Sequence, residues 1–160
     1  MPYIHRMSQL AVNKKATFDY EVLEKIEAGI VLTGQEVKSV RGGAMKLAGS
    51  YVTITPQQEV LLKQASIPRY RFSNALVPYD PQRPRKLLLN KKEIASLYGK
   101  IHQTGLTLIP ISVYTNHAKI KVELAVCRGK KAADKRSSIK EREVTRTIRR
   151  HAKEQYRMRG

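Results

Sequence analysis

Apolar residues along this chain recur at two periods, and the switches between them lay out its elements. Phe18, Tyr20 and Val22 alternate with Asp19 and Glu21, which predicts a half-buried strand over residues 18–23. Residues 28–32 (Ala-Gly-Ile-Val-Leu) predict a second extended piece. Thr33-Gly-Gln-Glu36 then carries a capping box, in which the Thr hydroxyl accepts from the Glu36 amide and the carboxylate reaches back to the Thr amide. The helix it opens is short, because Gly42-Gly43 stops it. Val37 and Val40 share its apolar face. Residues 51–55 and 59–65 predict a hairpin across Pro56-Gln57-Gln58. Four prolines in residues 68–84 exclude a helix or a central strand there, and Lys86-Leu-Leu-Leu resumes an apolar run. Asn90-Lys-Lys-Glu93 caps a second helix with Ile94, Leu97, Tyr98 and Ile101 at i, i+3, i+4 and i+7, ended by Gly105.

A last hairpin spans residues 106–115 and 118–127. In its second strand Ile120, Val122, Leu124 and Val126 alternate with Lys119, Lys121, Glu123 and Cys127, so one face is buried and the other polar. In its first strand the apolar phase slips at Pro110, from Leu106 and Leu108 to Ile111 and Val113, which predicts a bulge or an edge position. Short antiparallel strands with helices inserted between them predict a mainly β fold closed into a small barrel. A ferredoxin-like layout fits less well, because it needs crossover helices at regular intervals.

Beyond Gly129 the pattern thins and charge takes over. Residues 129–160 hold twelve Lys and Arg against four Asp and Glu, nearly half of the formal net charge of +18. Such a segment is expected to be disordered alone and to order on a polyanion. Within it Ser138-Ile-Lys-Glu141 is a second capping box, and Val144, Ile148, Ala152 and Tyr156 recur every four residues. No apolar run approaches the ~20 residues of a spanning helix, and with no Trp and no clean apolar stripe the tail does not suit a membrane surface. Nucleic acid is the expected partner.

The chemistry-bearing residues exclude more than they suggest. His5, His102, His117 and His151 are scattered without a Cys or carboxylate at metal-ligand spacing, and no glycine loop has phosphate-cradling spacing. No metal, cofactor or enzyme activity is expected. The single cysteine, Cys127, rules out an intramolecular disulfide and reads as an ordinary strand cysteine. With an N-terminus lacking an apolar h-region, and with Met1 or Met7 as possible starts, it points to the cytoplasm. Aromatic residues form only 6% of the chain and no stacking motif. That favours reading a folded RNA by shape and phosphate.

The run from Glu27 to Gly43, Glu-Ala-Gly-Ile-Val-Leu-Thr-Gly-Gln-Glu-Val-Lys-Ser-Val-Arg-Gly-Gly, resembles the SsrA-binding protein family, SmpB. Asp80-Pro-Gln-Arg-Pro-Arg-Lys-Leu-Leu-Leu-Asn-Lys-Lys-Glu, Gly105-Leu-Thr-Leu-Ile-Pro, Lys121-Val-Glu-Leu-Ala, Gly129-Lys-Lys-Ala-Ala-Asp-Lys-Arg and Ile139-Lys-Glu-Arg-Glu agree in order. The resemblance covers about residues 10–145, in order and without a large gap. It implies an oligonucleotide-binding (OB-like) barrel at residues 10–128, a flexible N-terminus at residues 1–9 and a basic tail at residues 129–160, disordered free and helical when bound. It implies a monomeric adaptor that binds the tRNA-like domain of transfer-messenger RNA (tmRNA) and delivers it to stalled ribosomes, the tail entering the decoding centre and empty message channel. By motif, the family's RNA site falls on Asn13, Glu27, Leu88 and Lys121, and its ribosome-contacting motif on Gly129, Lys130, Lys131, Asp134, Lys135 and Arg136. Two positions depart from the family pattern: Ala133, where relatives often carry His or Tyr, and Val144, where they often carry Trp. The alternative is a ribosomal protein or general RNA chaperone.

Overall fold

The structure, a computed structural model, describes residues 8–103, 105–130 and 132–159. They fall into two units, Met1–Gly129 and Lys130–Gly160. The first holds seven strands, β1 (Gln9–Val12), β2 (Tyr20–Ile30), β3 (Tyr51–Ile54), β4 (Val60–Lys63), β5 (Arg85–Leu88), β6 (Leu106–Asn116) and β7 (Lys119–Gly129). It also holds three helices, α1 (Lys14–Asp19), α2 (Gly34–Arg41) and α3 (Lys91–Ile101). Pairing runs β6–β3–β4–β5–β2–β7 and β7 returns to β6, so six antiparallel strands close a barrel. β1 adds to β6 beyond the ring. Closure removes most of the unpaired edge that an open sheet would expose.

The barrel interior is filled by the inward residues of every strand, including Ala28, Val52, Val60, Leu62, Leu87, Leu108, Val113, Val122, Leu124 and Val126, and is plugged by Val40 of α2 and Leu97 of α3. Both helices start where their caps predict. The Thr33 hydroxyl accepts from the Glu36 amide while the carboxylate accepts from the Thr33 amide, and the Asn90 side chain accepts from the Glu93 amide. The expected slip at Pro110 is a bulge, with the β6–β7 register shifting between Pro110 and Ser112. It is not an edge position, since β6 pairs with β7 on one side and with β3 and β1 on the other.

Three expectations change. Phe18 and Asp19 belong to α1 rather than to a strand, and the two extended pieces expected before Thr33 are one strand, β2. Asn13 caps α1, its side chain accepting from the Ala16 amide, and Ala16 buries against Ile109, Ile111, Ala125 and Cys127. Thus the outer face of β7, expected to be polar throughout, is apolar and covered in its second half. The C-terminal unit is α4 (Ala132–Arg159), a helix of about 42 Å at 1.5 Å per residue. The tail, whose helical form was expected, is a helix from Ala132, ahead of the capping box read at Ser138, in a run without Gly or Pro to interrupt it. Thr145 and Thr147 hydroxyls donate to the carbonyls of Glu141 and Glu143, one turn back.

One buried ion cluster ties α2 to residues 68–84. Glu36 and Arg85 are each 0% exposed. Arg85 Nε donates to Glu36 Oε2 at 2.7 Å, and its Nη1 to the carbonyls of Ala65 and Pro81 at 2.9 Å. Its Nη2 lies 2.6 Å from Oε2 as an ionic contact without hydrogen-bond alignment. Arg83 donates to Glu36 Oε1 at 2.5 Å. Burial pushes the Glu36 carboxyl up, but the Thr33 amide and the two guanidinium groups outweigh it and hold the group below the ordinary carboxylate range.

Candidate nucleic-acid interface

The register of four strands builds the site. Leu88 of β5 pairs with Gly29 of β2, Gly29 with Lys121 of β7, and Lys121 with Tyr114 of β6. Directly paired residues share a face of the sheet, and here that face is the outer one. Leu88 is 53% exposed. Gly29 leaves room for it: a Cβ there would lie 3.2 Å from the Leu88 Cβ. One pair further along the same face, Glu27 lies opposite Glu123. Glu27 accepts a short hydrogen bond from the Tyr114 hydroxyl, and Lys25 bridges to Glu123 at 3.2 Å. Burial and the Glu27 carboxylate together push the Tyr114 hydroxyl well above its ordinary value, so it remains a proton donor at neutral pH.

Beside this row lies a groove of about 340 Å³. Leu88, Ile30, Leu32, Val37 and Ile120 give it an apolar floor, Arg41, Lys119 and Lys121 give it a cationic rim, and among the described residues no carboxylate lines it. Arg41 Nη2 donates to the Ala118 carbonyl at 2.9 Å, tying α2 to the β6–β7 turn. His117 and Ala118 both have positive φ in that two-residue turn, a conformation in which Asn and Gly are the usual occupants. An apolar floor with a rim of cations can hold the face of an unstacked base and its phosphates at once.

Of the four barrel residues expected to line an RNA site, the fold therefore brings Glu27, Leu88 and Lys121 onto one face. Asn13 lies elsewhere. It is buried, its Nδ2 donates to the carbonyls of Leu47 and Pro110, and its Oδ1 caps α1. What it controls is α1, whose Lys14 and Lys15 are exposed. Sequence reasoning missed Gly29, Arg41 and Lys119. Gly29 stood inside the Glu-Ala-Gly motif, but its role depends on a residue 59 positions later, Leu88.

In the tail motif Gly129 and Arg136 are exposed. Lys131 lies outside the described residues, and the side chains of Asp134 and Lys135 are likewise not described. Along α4, Val144, Ile148 and Tyr156 are exposed with Ile139, so the apolar stripe has no cover within its own unit. Among the described residues no three His, Cys, Asp or Glu side chains could hold a metal ion, and no helix is long and apolar enough to cross a membrane. Cys127 is buried, and burial raises its thiol to about 11.

Comparison with known proteins bears on this arrangement. The chain is 50% identical over 143 residues to the SsrA-binding protein of Desulfitobacterium hafniense, covering 89% of this chain and 90% of that one. It is 49% identical over 148 residues to the SsrA-binding protein of Thermosipho melanesiensis, covering 92% and 99%. A solved chain described as "tmRNA-SmpB: a journey to the center of the bacterial ribosome" superposes with a TM-score of 0.63 at 44% identity, covering 76% of this chain and 84% of that one. The family model for SmpB protein matches residues 10–154, from β1 through the barrel and most of α4. A closed barrel, an outward-facing Leu–Gly–Lys row and a basic C-terminal helix thus stand in one continuous family match, and the chain belongs to the SmpB protein family.

Proposed function

We propose that this chain is an RNA-binding adaptor of trans-translation: its barrel binds the tRNA-like domain of tmRNA and delivers it to stalled ribosomes, where the tail enters the decoding centre and the empty message channel. The observation that carries the reading is the Leu88–Gly29–Lys121 row beside a groove rimmed by Arg41, Lys119 and Lys121, on a chain whose relatives are named for SsrA binding. The tmRNA–SmpB likeness supports both partners. In this reading Leu88 packs on an unstacked base and Lys121, Lys119 and Arg41 hold phosphates. Glu27, oriented by Tyr114, accepts from a base amino or ribose hydroxyl group. Asn13 acts through the helix it caps. Gly129, Lys130, Lys131, Asp134, Lys135 and Arg136 are the first of the tail to meet ribosomal RNA. The chain acts in the cytoplasm, as a monomer and without catalysis.

Competition tests the partner. Binding to the tRNA-like fragment of tmRNA should survive an excess of bulk tRNA; loss to bulk tRNA would instead indicate a general RNA chaperone. Lys121→Ala should weaken that binding and lower the slope of log K against log salt by ~1 unit, one phosphate contact. An unchanged slope would remove Lys121 from the phosphate set.

A further inference from the structure

Residues 68–84, which link β4 to β5, have no regular element yet are held in place. Arg69 donates to the carbonyls of Asn74 and Val77 at 2.8 and 2.7 Å. The Ser73 hydroxyl donates to the Tyr70 carbonyl, and Asn74 Oδ1 accepts from the Leu76 amide. The Tyr79 hydroxyl donates to the Ile67 carbonyl at 2.5 Å, and the Glu36–Arg83–Arg85 cluster anchors the far end. On this frame three large apolar side chains face solvent, Phe72 at 73%, Leu76 at 91% and Val77 at 52% exposure.

Phe72 is set beside a ring and a cation. Lys38 Nζ sits 5.5 Å from the Tyr70 ring centroid, Tyr70 meets Phe72 edge-on at 5.5 Å, and the Arg71 guanidinium lies 4.8 Å over Phe72. Cation, ring, ring and cation follow one another in space, and at 73% exposure much of the Phe72 ring still faces water. Of the loop's arginines, Arg83 is paired with Glu36 and Arg69 is turned onto the carbonyls of Asn74 and Val77, so the cations beside the rings are Arg71 and Lys38. A partner must therefore bring a flat apolar surface and negative charge together. A nucleobase with its phosphate brings both. An acidic protein segment brings the charge, but its side chains need a cleft, and here the apolar groups protrude.

We propose that this loop is a second RNA contact, separate from the Leu88 groove, which takes an unpaired nucleobase on the open side of Phe72, Leu76 packing beside it and Arg71 and Lys38 meeting the flanking phosphates. The proposal uses none of the residues assigned to the tRNA-like domain, so either reading can fail without the other.

The chain contains no Trp, so Phe72→Trp in the full-length protein places a single indole at the site. A mixed-sequence single-stranded RNA octamer should quench its fluorescence, whereas an abasic ribose-phosphate oligomer of equal length should not. At 0.3 M salt, where phosphate contacts of the basic tail are screened, Phe72→Ala should weaken octamer binding by about 5- to 150-fold, the range for one lost base–aromatic stack. Phe72→Tyr should restore it. Equal quenching by the abasic oligomer, or unchanged affinity in Phe72→Ala, would overturn the proposal. So would stronger quenching by an acidic peptide carrying Leu and Phe than by the octamer, which would make the loop a protein contact.

Discussion

Glu36 is the residue whose loss should propagate furthest. It is buried, and its two oxygens serve the α2 cap and both arginines that fasten residues 68–84. Glu36→Gln keeps the volume and, through its remaining oxygen, one acceptor for the cap. It removes the charge and turns one oxygen into an NH2 donor facing a cluster of donors. Arg85, 0% exposed, is then left in the interior without a counter-charge. Breaking a buried pair in this way costs ~3–5 kcal/mol. Thr33→Ala, which removes the cap hydroxyl and leaves the ion cluster, should cost only ~1 kcal/mol. Urea unfolding at pH 7, with equal m-values as the check on two-state behaviour, compares the two. The pH dependence adds a sign. The folded carboxyl titrates below its ordinary 4.5, so the unfolded chain binds the extra proton on acidification. Glu36 stabilises fully above ~4.5, and that contribution falls as pH drops through the folded value. The gap between wild type and Glu36→Gln should therefore narrow below pH ~4.5. A Glu36→Gln cost no larger than that of Thr33→Ala, or a gap independent of pH, would refute the buried-charge argument.

Two further outcomes are specific to single positions. Leu88→Ala should weaken binding of the tRNA-like RNA about fivefold, since roughly half of the side chain remains to be buried and that is worth ~1 kcal/mol. Its unfolding midpoint should stay near wild type, and an unchanged affinity would take Leu88 out of the interface. Cys127 should resist iodoacetamide at pH 8 in the native protein and react in urea, because burial holds the thiol at about 11. Rapid native labelling would contradict its position under α1.

What could be read from the sequence was what is local. The capping box at Thr33, the Asn90 cap, the 3–4 spacing from Ile94 to Ile101 and the slip at Pro110 each depend on neighbours within a few residues, and each appears in the structure. The alternation of Phe18, Tyr20 and Val22 misled because six residues fit both periods. The decision came from Asn13, whose cap and carbonyl contacts reach Leu47 and Pro110, and from Ala16 burying against β6 and β7. The Glu36–Arg85 pair spans 49 positions, and no local pattern announces it. The site was legible in part for the same reason. Lys121 sat on a polar face by alternation, and Glu27 and Leu88 came with the family motif. Only cross-strand register shows that Gly29 places Leu88 beside Lys121. The meeting of Lys38 with Tyr70 and Phe72 depends on where the loop folds back. The tail's run without Gly or Pro is local too, and it lies within one helix, α4.

The central claim is a division of labour between the barrel and residues 129–160, and cutting the chain after Gly129 tests it most directly. The unit retained, Met1–Gly129, contains the whole barrel, its core and the Leu88–Gly29–Lys121 row. Measured side by side, the truncated protein should bind the tRNA-like domain of tmRNA with affinity close to that of the full chain and should support no peptide tagging on stalled ribosomes. Loss of RNA affinity on truncation, or tagging that survives it, would contradict the account.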